Sequence, residues 1–175
     1  MKWRTERPAE GESAPYYRTY IDAVPAGDIV RTLQDQIAET SALLAGISEA
    51  KAEHRYAPGK WSIKEVVGHL ADAERVFAYR ALRFARGDAT PLASFDENAW
   101  VPAAGLDART LADLAAEFQA VRGASVSLFG SLDDAAAMRR GTASGKEVVV
   151  RALAWISAGH ERHHARVLRE RYLGG

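Results

Sequence analysis

The sequence has 175 residues, 47% of them hydrophobic and 26% charged, which is typical of one soluble globular domain with a sizeable core. Its 23 basic residues balance its 23 acidic residues, which excludes a nucleic-acid-binding protein that relies on a strong basic field. The absence of cysteine excludes disulfides, thiolate metal sites and a cysteine nucleophile.

The first 27 residues predict an irregular arm, because three prolines and two glycines interrupt them. A group of tyrosines at positions 16, 17 and 20 is expected to pack this arm on the body of the domain, and the alternative is a tyrosine at the mouth of a site. The start of the chain is charged where a signal peptide needs an apolar run, and no apolar stretch is long enough for a bilayer. We therefore expect a cytoplasmic protein.

The first long helix is predicted from about Asp28, its expected N-cap, to Ile47, because apolar residues recur there at helical spacing. Pro58 and Gly59 predict a turn after it. Together these signals indicate that the chain reverses before its next helix.

A capping box of Ser62 and Glu65 predicts the start of the second helix, which should run to about Ala85. His69 lies on the inward edge of its apolar stripe, and Arg80 lies near the same edge three turns later. A single inward histidine is more typical of a core residue bonded to a carbonyl than of a metal ligand. Its interpretation therefore depends on the other histidines.

Residues 87–106 form the longest stretch predicted to be irregular, and such loops are often functional. Phe95 and Trp100 are too apolar for a free linker, so we expect them to fold over the end of the helices. With Arg80 they are the candidates for lining a substrate pocket. A solvated turn, rather than a set of site groups, is expected for the polar residues Asp96, Glu97 and Asn98.

The third helix is predicted from Asp107, as N-cap, to Phe129, and residues 130–143 are expected to be a loop. A second capping box at residues 144–147 predicts a fourth helix that runs to Tyr172. Four amphipathic helices with mostly short connections predict an all-α protein, a four-helix bundle, with residues 1–175 as a single domain.

The fourth predicted helix carries three of the five histidines within five residues, at positions 160, 163 and 164. Residues three or four apart share a helix face, so His160 can pair with either His163 or His164. Two imidazoles on one helix and His69 from another could hold a divalent ion, for which imidazole is a common ligand. The sequence therefore predicts a three-histidine metal site, with the second member of the pair left open by periodicity.

Four short motifs, in this order and spacing, resemble the DinB superfamily, including its YfiT-like members. The motifs are YAPGKWSIKE at 56–65, GHLAD at 68–72, the segment 95–100 and HERHH at 160–164. The resemblance covers nearly the whole chain. It implies a four-helix bundle with an up-down-down-up arrangement. It also implies metal ligands at His69, His160 and His164, with His163 outside the set.

The resemblance further implies zinc or nickel and, as in many members, a homodimer. We expect a small-molecule substrate, and the charge balance and the lack of a long apolar stretch predict no nucleic-acid or membrane partner. Members of the superfamily include metal-dependent hydrolases and thiol S-transferases that use bacillithiol, mycothiol or glutathione. The expected function is therefore that of a metal-dependent enzyme, a thiol S-transferase in preference to a hydrolase. The alternative is a stress- or damage-related metal-binding protein without turnover.

Overall fold

Four long helices form the body of the protein, whose computed structural model describes residues 1–174. They are α2 (Ile29–Ala45), α4 (Ile63–Ala85), α6 (Leu111–Gly130) and α8 (Val150–Val167), which a π-helical turn extends (Leu168–Tyr172). The shorter helices are α1 (Arg18–Asp22), α3 (Glu49–Ala52), α5 (Glu97–Ala103) and α7 (Asp134–Ala137). In residues 1–174, no helix combines the length and apolar character needed to cross a membrane.

Helix directions follow from which residues meet across each helix pair. From one contact to the next, the residue numbers of both helices increase in a parallel pair. In an antiparallel pair, the numbers increase along one helix and decrease along the other. The contacts that decide are Gln36–Ala158 and Thr40–Glu161 for α2 with α8, Trp61–Tyr172 and His69–His160 for α4 with α8, and Ser62–Asp107 and Glu74–Arg122 for α4 with α6. Helices α2 and α8 thus run one way and α4 and α6 the other, which confirms the up-down-down-up bundle.

The first two long helices begin where their caps predict. The Asp28 carboxylate accepts hydrogen bonds from backbone N–H groups of the first turn of α2. At α4, Ser62 and Glu65 form the complete capping box, with each side chain accepting from the backbone of the other residue. Helix α2 ends at Ala45, slightly before the predicted Ile47.

The predicted start of the third helix at Asp107 is wrong. Asp107 lies in a short 3-10 turn (Leu106–Ala108), where its carboxylate accepts hydrogen bonds from Ser62 and Arg55. The N-cap of α6 is Thr110, whose hydroxyl accepts from the Asp113 N–H. The Asp107 carboxylate is bonded to the N-cap of α4 and to the segment before α4, so it does not cap α6.

The capping box predicted at residues 144–147 is also wrong, because these residues belong to a β-hairpin. Strands β1 (Arg140–Ala143) and β2 (Lys146–Val149) pair antiparallel around Ser144 and Gly145. Both turn residues have positive φ values, 54° and 71°, as in the two-residue turns that match strand twist. The hairpin and α7 occupy much of the predicted loop, and α8 begins only at Val150.

The long segment at residues 87–106 is more ordered than predicted. It contains α5, whose N-cap is Asp96, and Leu92 forms backbone hydrogen bonds with the hairpin at Thr142 and Ser144. These bonds hold the segment against the hairpin, so that the two form one continuous surface next to α4. Asp96 is therefore an exposed helix cap, where we had expected a solvated turn.

The N-terminal arm packs directly on α8. Trp3, Ile21 and Val24 are buried in the main apolar core. Helix α1 approaches α8 so closely that a Cβ at Gly159 would overlap the backbone of Tyr20. The absence of a side chain at Gly159 therefore sets how near the arm lies to the helix.

The substitution Gly159→Ala should displace the arm, because the overlap is with backbone, which cannot turn aside. We expect a lower melting temperature and faster cleavage by trypsin at Arg18. The matched control is Gly123→Ala in α6, where a Cβ meets nothing within 4 Å and should stabilise the helix by about 0.5–1 kcal/mol. Equal melting temperatures for the two variants would contradict this account of the arm.

Candidate metal centre

Three imidazoles from two helices converge in the bundle. His69 on α4 and His160 on α8 have their Nε2 atoms 3.0 Å apart, and the Nε2 atoms of His164 and His160 are 3.2 Å apart. A ring nitrogen of each of the three lies within 4.8 Å of the other two. The residues that the sequence proposed for one metal ion are therefore brought together.

Helix geometry explains this convergence. His160 and His164 are four residues apart in an α-helix, so their side chains lie on one face. Antiparallel packing of α4 against α8 brings His69 level with them. A glycine precedes each of the two inner histidines: Gly68 allows the side chain of Leu106 to pack on α4, and Gly159 allows the arm to pack on α8.

Burial holds the three imidazoles in their neutral form. It lowers the pKa of His69 to about 4 and that of His164 to about 3. The pKa of His160 falls well below its ordinary value, first through burial and then through the neighbouring imidazoles. Metal ligands must be unprotonated, and these histidines meet that requirement at neutral pH.

His163 is placed differently from its neighbours. Its ring packs edge-on against Tyr20, with centroids 5.5 Å apart, and it is not part of the group whose ring nitrogens converge. Of the two pairs that periodicity allowed, His160 with His164 is the one that faces His69.

A cavity of about 240 Å³ lies beside the histidines. Of the three residues proposed to line a pocket, Arg80 and Phe95 do so. Trp100 is not among the lining residues: it is 44% exposed and packs on the ring of Phe95 with centroids 5.0 Å apart. It supports the wall of the cavity from outside.

Several lining residues had been only the less favoured alternatives in the sequence, or had not been considered. Tyr16, Tyr17 and Tyr20 of the arm line the cavity, as do Ser144 of the hairpin and Glu97 at the start of α5. Burial is the main reason that the pKa of Tyr20 is raised. The cluster of tyrosines was a signal for the arm, but no local pattern placed Glu97 or Ser144 near a histidine.

Glu97 is the carboxylate of this cavity. Its negative charge raises the pKa of His69, against the larger lowering caused by burial, so the two groups are within electrostatic reach. A carboxylate there can accept a proton or orient a donor. Its position overturns our expectation that Glu97 belongs to a solvated turn.

Glu161, although next to His160, does not belong to the cavity. The segment 160–164 fits the His-Glu-x-x-His pattern of zinc proteases, in which the glutamate is a general base. Here Glu161 is fully buried and bonded to Thr40 and Arg122. Both carboxylate oxygens of Glu161 are thus bonded within the bundle core, so Glu161 cannot serve as that base.

Comparison with known proteins adds a family and two similar folds. The family model of the DinB superfamily matches residues 32–168. The structure is similar to YfiT from Bacillus subtilis, a probable metal-dependent hydrolase with an unusual four-helix bundle topology. The identity is 17%, the match covers 97% of this chain and 95% of YfiT, and the TM-score is 0.76.

The mycothiol-dependent maleylpyruvate isomerase is a second similar structure, with 17% identity and a TM-score of 0.69. That match covers 90% of this chain but only 63% of the isomerase. No curated protein matches by sequence. At 17% identity both structures support the fold of this chain, but their similarity does not show that it shares their activities.

The metal-free protein should lose stability as the pH falls from about 6.5 towards 4. In this window the unfolded chain protonates its histidines near pH 6.5, whereas folded His69 and His164 stay neutral. The unfolded state then binds more protons, so the free energy of unfolding decreases. Urea unfolding at pH 7 and pH 5 measures this difference.

Replacing a buried imidazole tests the assignment. His164→Leu should show a smaller pH effect than the wild type. His54→Ala is the control, because His54 lies outside the cluster against the ring of Tyr172. The same pH effect in wild type and His164→Leu would contradict the prediction.

Proposed function

This chain belongs to the DinB superfamily, and on that premise we propose that it is a metal-dependent enzyme with one divalent ion on His69, His160 and His164. The observation that carries the proposal is the convergence of three neutral imidazoles beside a cavity. Zinc and nickel are the ions that we favour. The proposed reaction is transfer involving a low-molecular-weight thiol, with hydrolysis as the second candidate.

The donor set fits a catalytic ion. Catalytic zinc sites commonly have three protein ligands and an open position, whereas structural sites have four. Three imidazoles suit zinc, nickel, copper or iron. A divalent ion held there lowers the pKa of a water molecule or a thiol and so supplies a nucleophile near neutral pH.

Residues of this chain would perform the remaining tasks. Glu97 would accept the proton that the nucleophile loses, because its carboxylate shares the cavity with His69. The rings of Phe77 and Trp61 also line the cavity and would exclude water from the reacting atoms. The phenol of Tyr20, which also lines the cavity, would donate a hydrogen bond.

Each of the two candidate reactions is supported by one of the similar folds. The mycothiol-dependent isomerase supports a thiol as co-reactant, and YfiT supports hydrolysis. A metal-binding protein without turnover would need no cavity beside its ligands. The cavity shared by the histidines, Arg80 and Glu97 therefore favours an enzyme over that alternative.

Metal binding should depend on three histidines and not on the fourth. His69→Ala, His160→Ala and His164→Ala each remove one of three ligands, so each should weaken binding of Zn²⁺ and Ni²⁺ by more than the roughly 10–100-fold that loss of a residue bonded to a ligand typically costs. His163→Ala is the matched control and should retain most of the affinity. Isothermal titration of tag-free protein measures these values.

Thermal unfolding gives a second measurement of the same site. Ion at about 100 times Kd should stabilise the wild type by about 2.7 kcal/mol. For a domain of this size the melting temperature should rise on the order of 5–10 °C. The rise should be absent in His160→Ala. Loss of binding in His163→Ala, but not in His164→Ala, would overturn the ligand assignment.

Turnover should appear when metal-loaded protein is given a low-molecular-weight thiol with a panel of electrophiles, or a panel of esters and amides. In the panel that responds, Glu97→Gln should lower kcat by about 100-fold, as is typical for loss of a general base. Asp96→Asn, which alters the neighbouring cap, is the control. Inactivity with both panels would contradict the proposal, and an unchanged kcat in Glu97→Gln would remove its assigned role.

A further inference from the structure

Arg80 differs from the other buried cations of this protein. Its residue exposure is only 3%, yet its hydrogen-bond partners are neutral: the carbonyl oxygen of Ala93, 3.0 Å away, and the hydroxyl of Ser144, 2.9 Å away. The guanidinium carbon of Arg80 lies over the ring of Phe95, 5.7 Å from the ring centroid. Among residues 1–174, no carboxylate lies within ion-pairing distance of Arg80.

The other buried cations show how this fold normally treats such a charge. Each of them forms an ion pair with at least one carboxylate. The pairs are Arg122 with Glu74 and Glu161, Arg151 with Glu12, and Lys64 with Glu49 and Glu53. A buried charge without an opposite charge is costly, so its retention at Arg80 calls for a ligand that supplies one.

The position of Arg80 identifies that ligand as something inside the cavity. Arg80 lines the same cavity as His69 and Glu97. Its NH2 group is occupied by Ala93 and Ser144, which leaves the N–H groups at Nε and NH1 to donate. Such charged donors suit the oxygens of a carboxylate or a phosphate.

The helix between the two sites sets the shape of the ligand. Arg80 follows His69 by eleven residues, which is about 16 Å along α4. The arginine side chain shortens this distance, because side chains on a helix lean towards its N-terminus. Ala73 and Phe77 lie between them on the same face and line the cavity. An apolar surface thus separates the cation from the histidines.

We infer that Arg80 binds an anionic group of the substrate, so that the enzyme acts on small molecules with a carboxylate or phosphate at one end. The apolar body of the molecule lies along Ala73 and Phe77, and its reactive group faces the histidines. This inference rests on the proposed function for calling the ligand a substrate. Recognition of the anion itself needs only Arg80 and the cavity.

The test compares benzoate with its neutral isostere benzamide on metal-free protein, by NMR titration. Metal-free protein is used because a carboxylate could otherwise bind the ion. Benzoate should bind roughly tenfold tighter than benzamide, as expected for hydrogen bonds to a charged group. Phenyl phosphate distinguishes the two anions, since the tighter of the two oxyanions identifies the class of substrate.

Variants assign the preference to one side chain. Arg80→Gln should abolish the preference for benzoate, and Arg80→Lys should retain part of it. The control Arg86→Gln, at the exposed end of the same helix, should leave it unchanged. If Arg80→Gln fails to fold, the comparison of wild type with Arg80→Lys and the loss of the preference at high salt decide the question.

Equal binding of benzoate and benzamide to the wild type, or an unchanged preference in Arg80→Gln, would overturn the inference. Failure of the proposed function is distinguishable, because it appears in metal titrations that do not involve Arg80. If the protein binds the anion but no metal, Arg80 would still be an anion-binding residue, and only the proposed enzymatic function would be wrong.

Discussion

One buried guanidinium joins the four long helices. Arg122 of α6 is fully buried, and its Nε and NH2 groups donate to both carboxylate oxygens of Glu74 on α4, at 2.8 and 3.0 Å. Its NH1 group donates to Glu161 on α8 and to Gln36 on α2. Two carboxylates compensate one cation, and breaking such a pair from one side typically costs about 3–5 kcal/mol. Helix rotation about this point is therefore strongly restricted.

The geometry of the histidines depends on this restriction. Glu161 is fixed to Arg122 and Thr40, and the side chain of His160, the preceding residue, points about 100° away around α8 towards His69. A turn of α8 that moved the imidazoles away from α4 would also pull Glu161 from its buried partners. The ion-paired core thus orients the face of α8 on which the histidines lie.

The sequence predicted the features that depend on helix periodicity and local caps. The four helices and the cap at Ser62 follow from such patterns, whereas the choice of His164 over His163 as the partner of His160 and His69 came from the family resemblance. It did not predict the hairpin, because Ser144 and Gly145 suit a helix cap and a left-handed turn equally well until a partner strand is known. Nor could it place Glu97, which lines the cavity at the end of a segment that is bonded to the hairpin through Leu92.

The residues around the cavity come from two kinds of structure, the long helices and the surface segments. The histidines stand on long, rigid helices, whose relative positions the buried charges and apolar core determine. The walls come from the arm, the start of α5 and the hairpin, which supply Tyr20, Glu97 and Ser144. Surface segments tolerate change in sequence and length more readily than the helices they connect. A bundle of this kind can therefore keep one cluster of histidines while the walls around it vary. Arg80, on a long helix but bonded to Ala93 and Ser144 of those walls, lies where the two parts meet.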